Sequence, residues 1–214
     1  MNDRLMQPID NYLSQFGVKN LPMLSVNYGM TALRGSATSL VNEHSPFLKM
    51  QPNVTWPAAE SPGGASLMFV DLGPDTGTTK VQKKFFPFVH SLWTDCKPVG
   101  VSNAVGLDSC QTIRPYLPPG NLDVKPNRYT WVLFASVESN LSALQIVGGP
   151  ALRFAGQVLS SKKIISTFSG FSFSRLLREN VGLKAVRYNF MLIRGTGKKP
   201  PAKKRLSKRV YAKH

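Results

Sequence analysis

The apolar run Ser66-Leu67-Met68-Phe69-Val70 stops abruptly at Asp71, and the turn-forming stretch Leu72-Gly73-Pro74-Asp75-Thr76-Gly77 follows at once. A continuous apolar run of this length, closed by Gly and Pro, reads as a buried strand rather than a helix. The strand delivers a carboxylate into a turn, where such a group faces water or a ligand. A second aromatic run, Phe85-Phe86-Pro87-Phe88-Val89-His90-Ser91-Leu92-Trp93, has strand character too. Laid beside the first strand, it lets His90 approach Asp71. On spacing alone the same residues also describe a core strand whose one histidine is hydrogen-bonded and inert.

The same punctuation recurs along the chain. Leu24, Val26 and Tyr28 alternate with Ser25 and Asn27, turn-rich linkers surround Gly35 and Ser45-Pro46, and residues 57–64 form a loop rich in Pro, Gly and Ala. Thr130-Trp131-Val132-Leu133-Phe134-Ala135 is a further buried strand, and Lys184 to Ile193 closes the series. Between them, residues 97–123 carry Pro98, Gly100, Gly106, Pro115, Pro118, Pro119 and Gly120, which reads as an extended surface excursion. Such a loop either binds a ligand or packs on a neighbour. Helices are expected only at the periphery. Ile9, Tyr12, Leu13 and Phe16 follow Pro8 at helical spacing, and residues 174–180 begin on an N-capping serine and close near Gly182. The stretch 139–160 is ambiguous, since any helix in it ends at Gly148-Gly149-Pro150. The organisation expected is a helical extension over 1–20, a mainly β domain over 21–194, and a basic tail over 195–214.

Charge separates that tail from the rest. The chain has 27 Lys and Arg against 11 Asp and Glu, a formal net charge of +16. Eight of the cations, Lys198, Lys199, Lys203, Lys204, Arg205, Lys208, Arg209 and Lys213, lie in the acid-free final stretch, which leaves 19 basic against 11 acidic residues elsewhere. Both parts therefore favour a polyanionic partner, nucleic acid first and an acidic membrane surface second. The tail has almost nothing to bury and is expected to be disordered or RNA-bound. Its use as a nuclear import signal, as an attraction to acidic lipid or as a solvated tail without a fixed partner stays open.

Chemistry is constrained mostly by what is missing. His90 with Cys96 or Cys110 could be written as base and nucleophile, but no third orienting group accompanies them, so no catalytic set is expected. His44, His90 and His214 are scattered and lack a ligand spacing, so no metal site is expected, and nothing in the sequence asks for a cofactor. Two cysteines are too few for a disulfide framework; they read as small core residues of a chain in a reducing compartment. No stretch approaches the ~20 apolar residues of a membrane span. The N-terminus resembles neither a secretory signal nor an Arg-rich transit peptide.

Taken in order, Leu24-Ser25-Val26-Asn27-Tyr28, Gly35, Pro52-Asn53-Val54-Thr55-Trp56, the strand into Asp71, His90, the Pro118-Pro119 turn, Arg128-Tyr129 and the closing helix and strand resemble the phosphatidylethanolamine-binding protein family, which includes the Raf kinase inhibitor proteins and the plant flowering regulators. The resemblance runs from about Leu24 to Ile193. It implies a β-sandwich with Greek-key strands and an anion pocket formed by Asp71, His90, Pro118, Pro119, Asn127 and Tyr129. Several positions depart from the family pattern. Asp-Pro-Asp-Ala-Pro is replaced by Asp71-Leu72-Gly73-Pro74-Asp75, His-Arg-Tyr by Asn127-Arg128-Tyr129, and the tryptophan before the pocket histidine by Phe88. The glycine-rich loop becomes Arg114-Pro115-Tyr116-Leu117-Pro118-Pro119. The pocket expected is accordingly degenerate.

Two functions follow from the resemblance together with the charge. One large-subunit protein of mitochondrial ribosomes carries this domain. The first reading is therefore a non-enzymatic structural subunit of such a particle, contacting rRNA through the tail and through Lys83-Lys84, Arg153 and Lys162-Lys163, with ribosomal proteins as neighbours. The second keeps the pocket working, as a binder of anionic phospholipid or a phosphorylated ligand that acts as a signalling regulator, located by its tail in cytoplasm or nucleus or at a membrane.

Overall fold

A computed structural model describes residues 21–35, 40–74, 87–100, 102–121, 124–136 and 183–196. The expected N-terminal helix, the stretch 139–160, the helix over 174–180, Lys83-Lys84, Arg153, Lys162-Lys163 and the eight tail cations lie outside these residues.

Ten strands run through the described chain: β1 (Ser25–Tyr28), β2 (Thr31–Ala32), β3 (Leu40–Asn42), β4 (Asn53–Pro57), β5 (Ala65–Pro74), β6 (Phe88–Cys96), β7 (Ala104–Gly106), β8 (Gln111–Arg114), β9 (Asn127–Ser136) and β10 (Leu183–Arg194). They form two sheets, β2-β1-β4-β7 and β3-β10-β9-β5-β6-β8. After the β5-β6 hairpin the chain passes through β7 and β8 and returns as β9 on the far side of β5, which is the expected Greek-key path. Among these ten strands every pairing is antiparallel except β3 with β10; Met23, ahead of β1, adds an isolated parallel bridge to Tyr188 of β10. Among the described residues the helical elements are three 3-10 turns, Pro46–Lys49, Ala58–Glu60 and Leu107–Ser109.

Sequence pattern assigns each strand its depth. β1 and β4 bury alternate residues, Val26, Tyr28, Val54 and Trp56, because only one face of the small sheet meets the core. β5 is buried along its whole length, which suits its unbroken apolar run at the centre of the large sheet. Between the sheets, Phe69 stacks on Trp131 with ring centroids 4.2 Å apart, and Trp93 and Tyr116 add stacked contacts to Trp131 at 5.9 and 6.3 Å. Each such pair adds roughly 0.5–1.5 kcal/mol beyond burial of area.

Two expectations are corrected by this packing. Residues 97–123 are not simply a surface excursion: they contribute a strand to each sheet, and Val105, Leu107 and Arg114 are buried. The turns demanded by Pro and Gly are real, but strands of three and four residues fit between them. Cys96 and Cys110 are not separate core thiols; they are joined by a disulfide. A β-bulge makes this possible. Ala65 pairs with Cys96 whereas Leu67 pairs with Trp93, so β6 holds one extra residue there, and Asp95 takes a left-handed φ of 51°. Strict alternation would have turned Cys96 away from Trp93's face.

Candidate functional site

Asp71 lies near the end of β5 on the core face, opposite Tyr129 of β9 and Phe88 of β6. Beyond it the ladder slips. A regular register would set Gly73 opposite Asn127, but Pro74 takes that place, because β5 carries one extra residue where Gly73 adopts a φ of 85°. That left-handed turn suits glycine, having no Cβ. It lets the Gly73 backbone N–H donate to Asp71 Oδ1 at 2.7 Å, while Asn127 Nδ2 donates to Oδ2 at 3.1 Å.

His90 reaches the same face through a second bulge. Phe69 pairs with Ser91 and Val70 with Val89, so His90 is the unmatched residue of β6. Simple alternation from Ser91 would place His90 on the opposite face. Instead its ring lies 5.1 Å from Tyr129, 5.6 Å from Phe69 and 5.0 Å from Phe88. Its Nδ1 sits 3.2 Å from the Leu117 carbonyl, which can only accept, so Nδ1 carries the proton and Nε2 keeps its lone pair.

The segment after β8 closes over these groups. Ser91 Oγ accepts from the Leu117 N–H at 3.0 Å, and Tyr129 Oη donates to the Gly120 carbonyl at 2.8 Å. Tyr116 Oη donates to the Leu48 carbonyl at 2.8 Å, tying the loop to the turn after β3. Asn121 fixes the far end, donating through Nδ2 to the carbonyls of Lys125 at 2.6 Å and Ile193 at 2.8 Å. Pro119 is buried in this segment, whereas Pro118 and Leu117 are exposed at its rim.

The six expected site residues are thus gathered around Tyr129 and the 114–121 segment. Asp71 and His90 both adjoin Tyr129: Asp71 through the β5–β9 pairing, the imidazole through its ring. One residue of the site was named in the sequence only as part of an altered loop. Arg114 is buried, its Nη1 donates to the Val89 carbonyl at 2.6 Å, and its guanidinium lies over the Phe88 ring at 5.0 Å. The signal available was a lone cation before Pro115 inside a breaker-rich stretch.

Burial sets the charge states. It raises Asp71 to about 6, against the opposing hydrogen bonds from Gly73, Asn127 and Tyr129. Burial lowers His90 to about 3; the charge of Arg114 acts in the same direction, and the backbone of Leu117 and Pro118 acts against it. Burial also brings Arg114 down to about 10, which leaves it charged at neutral pH. Tyr129 is held neutral by burial and then by the adjacent Asp71 charge. At neutral pH the site therefore combines a carboxylate, a neutral imidazole and a guanidinium. Such a set can hold a small polar ligand by hydrogen bonds and charge. Among the described residues no cluster of His, Cys, Asp and Glu could hold a metal ion.

The sequence matches no family model and no curated protein sequence. Solved structures do match. The phosphatidylethanolamine-binding protein of Plasmodium vivax aligns with a TM-score of 0.59 at 12% identity, over 89% of this chain and 97% of that one. A carboxypeptidase Y inhibitor, solved in complex with its cognate proteinase, gives 0.51 at 16% identity over 90% and 97% of the two chains. The phosphatidylethanolamine-binding protein of Plasmodium falciparum gives 0.51 at 13% over 90% and 97%. At identities this low the likeness is one of fold, and the chain has the fold of the phosphatidylethanolamine-binding proteins.

Proposed function

We propose that the domain is a non-catalytic binding module whose pocket, formed by Asp71, His90, Asn127, Tyr129 and the Leu117-Pro118-Pro119 segment, takes a phosphate-bearing ligand such as a phospholipid head group. The observation that carries this reading is the burial of Asp71 and His90, 3% and 6% exposed, with a bulge in β6 turning His90 toward the face that carries Asp71. Burial raises Asp71 to about 6 and lowers His90 to about 3, which opposes stability above pH 6 for the carboxylate and below 6.5 for the imidazole. A domain serving only as a spacer gains nothing from such an arrangement. Titrating the full chain with O-phosphoethanolamine, and with vesicles containing or lacking phosphatidylethanolamine, tests it. Saturable binding that is lost in Asp71→Ala and His90→Ala supports the reading, and binding that neither substitution changes removes it.

A second reading rests on a different observation, the net charge of +16 with eight cations in 198–214. It makes the chain an RNA-associated subunit, with the mitochondrial large ribosomal subunit as the particle and rRNA and ribosomal proteins as its neighbours. Sedimentation of the native protein from gentle lysates, in low and high salt and with or without ribonuclease, distinguishes it. Co-sedimentation with a large particle that ribonuclease abolishes supports it; a slowly sedimenting monomer in every condition refutes it. Direct RNA binding would weaken with salt by about 0.7 to 0.9 in log affinity per log unit for each phosphate contacted.

A further inference from the structure

The charge states pose a difficulty for an anion site. Above about pH 6 the Asp71 carboxylate is ionised and the His90 imidazole is neutral, so these two groups together repel an oxyanion. The donors around them are already directed at protein acceptors: Gly73 N–H and Asn127 Nδ2 at Asp71, His90 Nδ1 at Leu117, Tyr129 Oη at Gly120. A positive charge has to come from elsewhere for the sign of the site to suit phosphate.

We infer that Arg114 is the anion-selecting residue of this site, its guanidinium providing the positive charge that lets an oxyanion of the phosphate class bind beside His90 and Asp71. The inference rests on the anion-site reading proposed above. Its geometry is direct. Arg114 stands at the end of β8, across from Leu92 of β6, and its side chain runs along the sheet edge to the Val89 carbonyl. There the guanidinium lies over the face of Phe88, and the Phe88 and His90 rings pack edge to face with centroids 5.0 Å apart. An aromatic face under a guanidinium favours the cation electrostatically. Planar guanidinium also matches phosphate geometry in a way that a neutral side chain cannot. At 8% exposure the charge is screened far less than one on the open surface. The tail cations are not equivalent to it: an acid-free run of Lys and Arg attracts any polyanion, whereas Arg114 packs on Phe88, the ring that in turn contacts His90.

The test uses the full chain, labelled at histidine, with the His90 ring resonance assigned through His90→Asn and followed by NMR during titration with inorganic phosphate. Reading His90 itself keeps phosphate bound elsewhere on the basic chain out of the signal. The parent is expected to show a saturable shift, Arg114→Met a dissociation constant weaker by about tenfold or more, and Arg114→Lys, which keeps the charge but not the planar fork, a value between the two. Titration with ethanolamine, which carries only an ammonium group, is expected to leave His90 unmoved. Phosphate affinity in a folded Arg114→Met within twofold of the parent overturns this inference while leaving the anion site intact. Should the Met variant fail to fold, Arg114→Lys decides, since loss of phosphate response in a folded lysine variant that retains the charge overturns the role assigned to it. No response of the parent to phosphate overturns the anion-site reading and this inference together, and a response to ethanolamine alone reverses the sign of the ligand.

Discussion

Replacing Asp71 by asparagine should stabilise the domain at neutral pH, although it removes a site residue. The folded state holds the Asp71 proton up to about pH 6, whereas an unfolded aspartate releases it near 3.8. Between these values the folded state binds more protons, so this residue's contribution to stability improves as pH falls from 6 toward 3.8. Above 6 the ionised carboxylate imposes its whole penalty, about 3 kcal/mol at 1.36 kcal/mol per pH unit. Asparagine carries no charge and escapes that penalty. It loses part of the gain because its own amide must face Asn127 Nδ2, which then has to present its oxygen instead, at about 1 kcal/mol for the rearranged hydrogen bonds. The net expectation is a gain of about 2 kcal/mol at pH 7.5, or a urea midpoint higher by about 1 M for a slope near 2 kcal/mol/M.

His90 runs the other way. Its folded-state value near 3 lies below its ordinary 6.5, so its contribution is fully present above 6.5 and is lost as pH falls toward 3. In the parent the two dependences largely cancel between about 4 and 6. In Asp71→Asn only the histidine slope remains, so the variant should lose its advantage near pH 4.5. Urea unfolding at pH 7.5 and 4.5, followed by the fluorescence of buried Trp93 and Trp131, measures both. A variant less stable than the parent at pH 7.5, or an advantage that persists unchanged at 4.5, refutes the burial argument for this pocket.

Other perturbations have simpler signs. Reducing the Cys96–Cys110 bond, which spans 14 residues, should lower stability by about 3 kcal/mol through the loop entropy returned to the unfolded chain; unfolding with and without reductant measures this, and a Cys96→Ala/Cys110→Ala double variant should be insensitive to reductant. Phe69→Ala removes the ring that stacks on Trp131 and flanks His90, and should cost about 3–5 kcal/mol in urea unfolding. Gly35→Ala should cost about 1–2 kcal/mol in the same assay, since Gly35 has a φ of 57° and an added Cβ would meet Met23 Cε at 3.0 Å and Asn189 Oδ1 at 3.3 Å. Asn189 cannot retreat easily, because its Nδ2 bonds the carbonyls of Leu24 and Leu33.

Much of the fold was legible because breakers and burial agree locally. The run from Ser66 to Val70 is apolar on both faces and sits at the centre of the large sheet, and the alternation of Val26 and Tyr28 with polar neighbours belongs to a strand of the half-buried sheet. The Pro- and Gly-rich stretch 97–123 was harder. Strands of three and four residues are too short for a periodic signal, and they acquire their place from the sheet edges they join, which is a tertiary fact. The disulfide was hidden for a related reason: two cysteines 14 residues apart acquire a common location only when β6 ends beside the residue preceding β8.

For the candidate site, residue types could be read from the sequence, but the direction of the side chains could not. Strand period gives every side chain a face, and by that period His90 and Ser91 cannot share one; the bulge breaks the rule, with both residues directed toward the segment that begins at Leu117. Asn127 needs no such device: it shares a face with Tyr129 by strand alternation and donates to the Asp71 carboxylate from there, while the extra residue at Gly73 turns a backbone N–H onto the same carboxylate. Charge followed a similar path. Asn127, standing where the family has histidine, supplies no positive charge. A buried cation near this pocket, Arg114, comes from β8, some thirteen positions earlier in the chain. In the oxyanion site proposed above, Arg114 supplies the positive charge that Asn127 lacks.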